Sequence, residues 1–271
     1  MMKFFFKIIF IFSGLVQIQA QSKDSLSAFA NSLYQQKQYQ FAALEYQRLL
    51  FFDASDTFAR VQLLKSLNRS GQYRSGIEGF NKYNADISFA PQGEAMQYGL
   101  SLLHTQRYDS LYLLLSLNKK INESQRLCFQ SSQQLLQGQY LFSYALLSKN
   151  TSNDNTIVQL RDLSNEALNT RFKSPGLAVA MSAIVPGSGQ CYGNQWREGL
   201  VTLVASLLSG YKVYSDLKEG RKTSGVIYGA SFSLLYFYSL ISAAESAQSY
   251  NKGVRERYSQ KTYEIFDQLF Q

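Results

Sequence analysis

The order of apolar segments in the last third constrains the fold of this chain most. A short apolar run, Gly176–Val185, precedes the motif Pro186–Gly193 (PGSGQCYG), and two longer runs follow it, Gly199–Tyr214 and Gly225–Ala244. A helix rises about 1.5 Å per residue and a bilayer core is about 30 Å thick, so the last run is long enough for one crossing and the second is marginal. The pattern predicts a membrane domain over residues 171–250, with transmembrane helices at about 199–216 and 224–244. The short run is then re-entrant, interfacial or packed against them, and a water-soluble helical core is the alternative.

The motif contains three glycines within seven residues, which permits a sharp turn. We expect this turn at the membrane surface, anchored by its Gln and Tyr side chains. The predicted membrane-surface residues are Pro186, Gly187, Gly189, Gln190, Tyr192, Gly193, Trp196 and Arg197. A phosphate-binding loop is disfavoured because the motif lacks a preceding strand and a following Gly-Lys-Thr.

Small residues recur every four positions in the last apolar run. Helices in lipid associate through close packing of small side chains. The ladder of Gly225, Gly229 and Ser233, matched by Ser206 and Gly210, therefore predicts a tight pairing of the two transmembrane helices.

The N-terminus has the features of an export signal. Lys3 and Lys7 supply positive charge, Ile8–Val16 is apolar, and Ala20 is suited to cleavage. We predict a signal peptide over 1–20, with an uncleaved anchor as the alternative. The domain over 21–170 is then expected in the periplasm, attached to the inner membrane of a bacterial envelope, and residues 251–271 form a polar C-terminal tail.

A dipeptide of Gln or Arg followed by Tyr recurs through the first half of the chain. Tyr39, Tyr73, Tyr108 and Tyr140 are separated by 34, 35 and 32 residues, a period typical of solenoids of paired helices. The residues predicted to pack the repeats are Ala30, Tyr39, Ala42, Tyr73, Gly76, Gly99 and Tyr108. Thr156–Arg171 is expected to be a final capping helix.

Two resemblances rest on these residues. The first unit, with Ala30, Leu33, Tyr39, Ala42, Tyr46 and Leu49, resembles the tetratricopeptide repeat. Residues 173–199, with the motif, and Tyr250-Asn251-Lys252 are similar to the two-transmembrane-helix family, found in Gram-negative envelope proteins that join such a domain to tetratricopeptide-like repeats. The first resemblance implies a groove that binds a protein or peptide, and the second implies placement in a membrane without implying an activity. Candidate groove residues are Asn31, Gln35, Lys65, Asn68 and Gln97.

Residues for catalysis and metal binding are sparse. His104 is the only histidine, so a Ser-His-Asp triad is disfavoured, and Cys128 and Cys191 are expected to be two small apolar fillers. The net charge of +8 is spread along the chain and does not predict a nucleic-acid surface. The sequence predicts an all-α protein with a tetratricopeptide-like array and a C-terminal transmembrane hairpin. It is expected to act as a non-catalytic scaffold, without a cofactor, that contacts membrane lipid and a protein partner. The alternative is a lipid-processing or transport subunit with a headgroup site around residues 186–199.

Overall fold

The computed structural model of the protein describes residues 23–150 and 154–270, so the predicted signal peptide lies outside it. Within these ranges the chain is all-helical and contains no strand, which confirms the predicted class. The helices are α1 Lys23–Gln35, α2 Tyr39–Phe52, α3 Thr57–Arg69, α4 Tyr73–Tyr83, α5 Gln92–His104, α6 Tyr108–Leu117, α7 Glu123–Leu136, α8 Tyr140–Ser148, α9 Asn155–Leu168, α10 Pro175–Ile184, α11 Ser188–Tyr192, α12 Trp196–Lys218 and α13 Lys222–Asp267, followed by a 3₁₀ turn, Gln268–Phe270.

Contacts divide the chain into two compact units, an N-terminal unit that ends at Phe129 and a C-terminal unit that begins at Gln130. The boundary predicted at residue 170 lies inside the C-terminal unit. The reason is that α9 packs against both α8 and α13. The helix expected to cap the repeats thus joins α10 to α13 in one unit.

The recurring dipeptide has one structural position in all four copies. Its Tyr is the first residue of a helix each time, and the residue before the dipeptide has a left-handed backbone: φ is 60° at Lys37, 74° at Gly71, 56° at Gln106 and 73° at Gly138. The amide before each Tyr donates to a carbonyl five residues earlier, as from Gln38 to Leu33 at 2.9 Å. This is the Schellman arrangement that ends one helix, and here the next helix begins at once.

The same turn occurs twice more in the C-terminal unit, where the sequence repeat is not visible. Asn194 before α12 and Gly220 before α13 have φ values of 73° and 75°. The Gln195 amide donates to the Gln190 carbonyl at 2.9 Å, and the Arg221 amide donates to the Asp216 carbonyl at 2.8 Å. One local geometry therefore connects helices in both units.

Large apolar side chains form the core of the N-terminal unit, as expected for a water-soluble fold. Tyr46, Phe80 and Phe129 are fully buried, together with Leu side chains of α1, α2, α3, α5 and α6. Two glycines allow their helices to approach neighbouring helices closely. A Cβ at Gly76 would lie 2.6 Å from Ser101 Oγ, and one at Gly99 would lie 2.6 Å from Phe129 Cζ.

Buried polar contacts join α3 to α5. The Asn68 side-chain amide donates to the Gln97 backbone carbonyl at 2.9 Å, and Ser101 Oγ donates to Asn68 Oδ1 at 2.7 Å. Arg60 and Glu94 form an ion pair at 3.3 Å. Asn68 and Gln97 were expected on an exposed ligand-binding face. That expectation is wrong, because each is 5% exposed and satisfies the other inside the unit.

The segment predicted as a polar tail over 251–271 is helical as far as Phe270. Helix α13 has 46 residues and is about 69 Å long. Beyond residue 251 it buries Val254, Tyr258 and Phe266 at helical spacing. Tyr258 hydroxyl lies 2.6 Å from Thr170 Oγ1, directly after α9.

Candidate functional site around the glycine motif

Helix α10 begins where the sequence predicts. Ser174 is the N-cap residue, its hydroxyl accepts a hydrogen bond from the Leu177 amide at 3.3 Å, and Pro175 is the first helical residue. The helix ends at Ile184, and the Tyr236 hydroxyl of α13 donates to the Ala183 carbonyl at 2.9 Å. A side chain from α13 thus satisfies a carbonyl that the end of α10 leaves without a helical partner.

The motif is a short helix, α11, entered through one left-handed glycine. Gly187 has a φ of 95° and precedes Ser188–Tyr192. The sequence predicted only a turn here. Helix α11 packs against α10, α12 and α13, so the motif lies among three helices.

The glycines of the motif permit backbone contacts that a side chain would prevent. A Cβ at Gly187 would lie 2.1 Å from the Gly199 carbonyl oxygen, and one at Gly189 would lie 2.1 Å from the Ala178 carbonyl oxygen. A Cβ at Gly193 would lie 2.4 Å from Ser246 Cβ. These distances are far below van der Waals contact, so the three glycines determine how closely α11 approaches its neighbours.

A buried hydrogen-bond network holds the motif. The Gly187 amide donates to Ser239 Oγ and the Gly189 amide to Ser182 Oγ, each at 3.0 Å. Ser182 Oγ donates to Gln190 Oε1 at 3.2 Å, and Gln190 Nε2 donates to the Ser239 carbonyl at 3.3 Å. Gln190 is fully buried. Its predicted role as a surface anchor is therefore wrong, because its amide satisfies groups inside the helix cluster, and it is not open to a lipid headgroup either.

Tyr192 helps to hold the start of α10 beside α13. Its hydroxyl accepts a hydrogen bond from the Ser174 amide at 3.1 Å. The Asn251 side chain forms two hydrogen bonds with the backbone of Lys173: it accepts from the Lys173 amide at 2.8 Å and donates to the Lys173 carbonyl at 2.7 Å. Asn251 contributed to the sequence analysis only as part of a family resemblance, and this contact was not predicted.

Pro186, which lies between α10 and α11, is half-buried, whereas Trp196 and Arg197 at the start of α12 are exposed. Trp196 is 57% exposed, and the Arg197 guanidinium lies 5.4 Å from its ring centroid. Cys191 is also exposed, so the expectation of an apolar filler is wrong for it, whereas Cys128 is buried. The predicted surface residues thus separate into a buried group and an exposed group.

The predicted ladder of small residues is only partly at a helix contact. A Cβ at Gly225 would lie 3.1 Å from the Leu217 side chain of α12, and one at Gly210 would lie 3.5 Å from Phe232 of α13. Gly229 faces open space, and the hydroxyl of exposed Ser233 donates to the Gly229 carbonyl of its own helix at 2.9 Å. The predicted packing role is wrong for Gly229 and Ser233, since a four-residue step drifts away from the contact.

Between residues 175 and 246, which cover α10 to α12 and the first half of α13, burial is inverted relative to the N-terminal unit. The buried polar side chains are Ser182, Gln190, Thr202, Ser206, Asp216, Ser239, Ser242 and Ser246. The exposed side chains are mostly large and apolar, and those more than 60% exposed include Ile184, Val201, Leu207, Leu208, Val226, Leu234, Phe237 and Ile241. In residues 23–150 and 154–270, one helical segment is long and apolar enough to cross a membrane, Lys222–Phe270, and 17% of its most apolar window is buried.

A buried carboxylate closes the turn between α12 and α13. Asp216 is fully buried and accepts from Lys212 Nζ at 2.7 Å, from Arg221 Nη2 at 2.7 Å and from Ser224 Oγ. The four-residue spacing of Lys212 and Asp216 on one helix is a sequence signal that could have revealed the pair. We did not predict this cluster.

Comparison with protein-family models, curated proteins and solved structures gave no match for this chain. Both family resemblances therefore stay predictions. Over the described ranges, no group of three or more His, Cys, Asp or Glu residues could hold a metal ion. His104 stacks on the Tyr73 ring with centroids 4.0 Å apart.

Proposed function

We propose that this protein is a membrane-anchored, non-catalytic scaffold that holds a protein or peptide partner on the periplasmic side of the inner membrane. Helices α10 to α13 form the membrane domain, in which α12 and α13 cross the bilayer as a hairpin. The helix pairs α1/α2, α3/α4 and α5/α6 form a tetratricopeptide-like array. The recurring Schellman turn supports the array, since it gives successive pairs one connection.

The observation that carries the membrane placement is the inverted burial of residues 175–246. In water, exposed apolar surface costs about 25 cal/mol per Å². In lipid the same side chains face acyl chains, while small polar residues allow close helix packing and hydrogen bonds between helices. The N-terminal unit and the last part of α13, with Tyr258 and Phe266, bury large apolar side chains instead, so the inversion is a property of residues 175–246.

The hydrogen bonds of the motif support a re-entrant arrangement of α10 and α11. With 10 residues, α10 is about 15 Å long and cannot cross the hydrocarbon core. Irregular backbone at membrane depth is tolerated where it is buried in protein with its polar groups satisfied. Tyr236, Ser239 and Ser182 provide such partners.

The exposed aromatic residues of α2 support partner binding. Phe41, Phe51 and Phe52 are 60%, 86% and 69% exposed, although the helix belongs to a unit with a buried apolar core. Clustered exposed apolar side chains mark surfaces for protein contact. This outward-facing aromatic set, rather than Asn68 and Gln97, is the surface that we assign to the partner.

Membrane placement is tested by alkaline extraction of membranes and protease digestion of spheroplasts, with tags after Gln21 and at Gln271. We expect resistance to alkali and cleavage of both tags from outside. Leu234→Lys, at a position 72% exposed, should make the free energy of membrane insertion less favourable by about 3 kcal/mol. Gln248→Lys, beyond the apolar section, should leave it unchanged. Release of the wild-type protein by alkali, or equal behaviour of the two variants, contradicts the membrane placement.

Partner binding is tested by a photo-crosslinking residue in place of Phe51, with the same residue at exposed Gln260 as the matched control. We expect a discrete adduct from the first position that Phe52→Ala weakens. Equal adducts at both positions would rule out this surface as the binding site.

A further inference from the structure

Helix α2 is apolar on two sides. One side is buried in the N-terminal unit and consists of Ala42, Ala43, Tyr46, Leu49 and Leu50. The other side is exposed and carries a row that we call the α2 stripe: Phe41, Leu44, Arg48 and Phe51. A helix that is apolar all round is normally covered on every side. The N-terminal unit covers only one side of α2, so the stripe is open to another protein surface.

The α2 stripe has the spacing of a seam between two helices. Its members are separated by three, four and three residues, which is the alternation of a and d positions in a coiled coil. At the corresponding positions of α4, counted from Tyr73 instead of Tyr39, the residues are Ser75, Glu78 and Lys82, which are polar. The apolar seam is therefore specific to α2 and is not a requirement of the recurring helix pair.

The order of residues makes the stripe complementary to itself when two copies of α2 run antiparallel. Reversal places Phe41 opposite Phe51 of the second copy. It also places Leu44 opposite Arg48 of the second copy, whose apolar stem can cover it. The Arg48 guanidinium lies 2.7 Å from Glu45 of its own helix, so each charged pair brings its own counter-charge to the centre of the seam. A parallel pair would instead place the two Arg48 side chains against each other, which electrostatic repulsion disfavours.

The exposed area is sufficient for a specific dimer. Phe41, Leu44, Phe51 and Phe52 are each more than half exposed. Because a buried aromatic side chain covers roughly 200 Å², these four residues offer about 500 Å² of apolar surface per copy. Two copies would bury about 1,000 Å², which is the area that a specific interface requires, before the polar residues around the stripe are counted.

We propose that the partner at this surface is a second copy of this chain, bound by antiparallel pairing of the two α2 helices about a two-fold axis. The proposal rests on the assignment of the α2 surface to a protein partner under the proposed function. A two-fold pair buries the same residues on both copies, and such pairs are the commonest homo-oligomers of soluble proteins. Aromatic and arginine side chains are also enriched in protein interfaces.

The test is crosslinking of the full chain in neutral detergent at two exposed glutamines that flank the stripe, Gln40 and Gln47, with the exposed thiol removed by Cys191→Ser. If Phe41 lies opposite Phe51, the two-fold axis passes at position 46. Two copies of Gln47 then lie about 3 Å apart along the helices, whereas two copies of Gln40 lie about 18 Å apart. With a short bismaleimide, Gln47→Cys should give at least about fivefold more crosslinked dimer than the matched Gln40→Cys, whereas a parallel pair would crosslink both.

A second pair of variants tests whether the stripe itself forms the contact. In the Gln47→Cys chain, Leu44→Lys places a positive charge opposite Arg48 of the second copy and should lower the dimer yield about tenfold, because like charges in an interface repel. The control Glu78→Lys, at the corresponding exposed position of α4, changes the net charge more but should alter the yield less than about twofold.

The contrary outcomes are distinct. Equal dimer yields from Gln40→Cys and Gln47→Cys, or a yield that Leu44→Lys leaves unchanged, overturn the antiparallel pairing. The photo-crosslinking residue in place of Phe51 separates the other occupants. An adduct with a different protein overturns the second copy but leaves the partner surface in place. An adduct of monomer mass that maps to residues 1–22 assigns the surface to the chain's own N-terminal segment, and the lack of any discrete adduct refutes the partner surface as well.

Discussion

Replacing Gly189 by alanine should disrupt the helix cluster of the C-terminal unit. The new Cβ would lie 2.1 Å from the Ala178 carbonyl oxygen, 2.5 Å from Ala243 Cβ and 2.6 Å from Ser182 Oγ. The nearest atom belongs to the α10 backbone and cannot rotate away, so α10 and α11 must separate. We expect a loss of about 3 kcal/mol in the free energy of unfolding, the upper end of the usual cost of overpacking.

The chain offers a matched control on α13. Gly253 is helical, and a Cβ there would meet nothing within 4 Å. Gly253→Ala should therefore stabilise the protein by roughly 0.5 to 1 kcal/mol, because alanine loses less backbone entropy than glycine in a helix. The two substitutions add the same methyl group and should act in opposite directions.

The assay is reversible unfolding of the full chain in mixed micelles as the fraction of denaturing detergent rises, followed by far-UV circular dichroism and by fluorescence of Trp196, the single tryptophan. Trp196 begins α12 beside the motif, so it reports on the same cluster. If Gly189→Ala unfolds within about 0.5 kcal/mol of the wild-type protein, the proposed close contact of α11 with α10 is refuted. A destabilising Gly253→Ala would instead contradict the open space beside this residue.

Three further predictions concern single side chains. Asp216→Asn should lower the free energy of unfolding by about 1 to 2 kcal/mol, because it removes the acceptor of several charged donors, whereas the matched Glu219→Gln at an exposed pair should cost less than about 0.5 kcal/mol in the same assay. The Lys23 ammonium holds the pKa of Asp53 at about 2, below its ordinary 3.8, so the stability that this ion pair contributes is present above pH 3.8 and is lost as the pH falls through 2. A plot of melting temperature against pH should therefore be flatter between about pH 4 and pH 2 in Asp53→Asn than in the wild-type protein. An unchanged plot contradicts the pairing. Asn251→Ala should speed amide hydrogen exchange in α10 severalfold, because it releases the start of α10 from α13. Unaltered exchange would show that the two Asn251 hydrogen bonds do not hold α10 in place.

Local chemistry made several elements predictable. Ser174-Pro175 specified a helix start because an N-cap hydroxyl and a proline at the first position act within one turn. The recurring dipeptide predicted a repeat and not its helix starts, although the Schellman turn before each Tyr also involves residues close together in the chain. These features depend on neighbours in the chain and need no tertiary contact.

Other residues were placed wrongly because their partners are distant in sequence. Gln190 reads as a polar surface residue until Ser182 and Ser239 are brought beside it. Gly229 has the spacing of a packing residue, but α12 does not reach it. Asn68 and Gln97 satisfy each other only because α3 lies against α5. In each case the environment of the side chain comes from another helix.

The sequence by itself determined that this protein is helical, where several helices begin, and that its last third carries an apolar segment long enough to cross a membrane. Helix signals and hydropathy are properties of short windows, so they survive without knowledge of the fold. Only the tertiary structure decided that the glycine motif is buried among α10, α12 and α13, that large apolar side chains face outward there, and that α13 continues to pack on α9. The physical reason is that burial and close contact depend on which helices meet, and residues as far apart as Thr170 and Tyr258 meet only after the chain has folded.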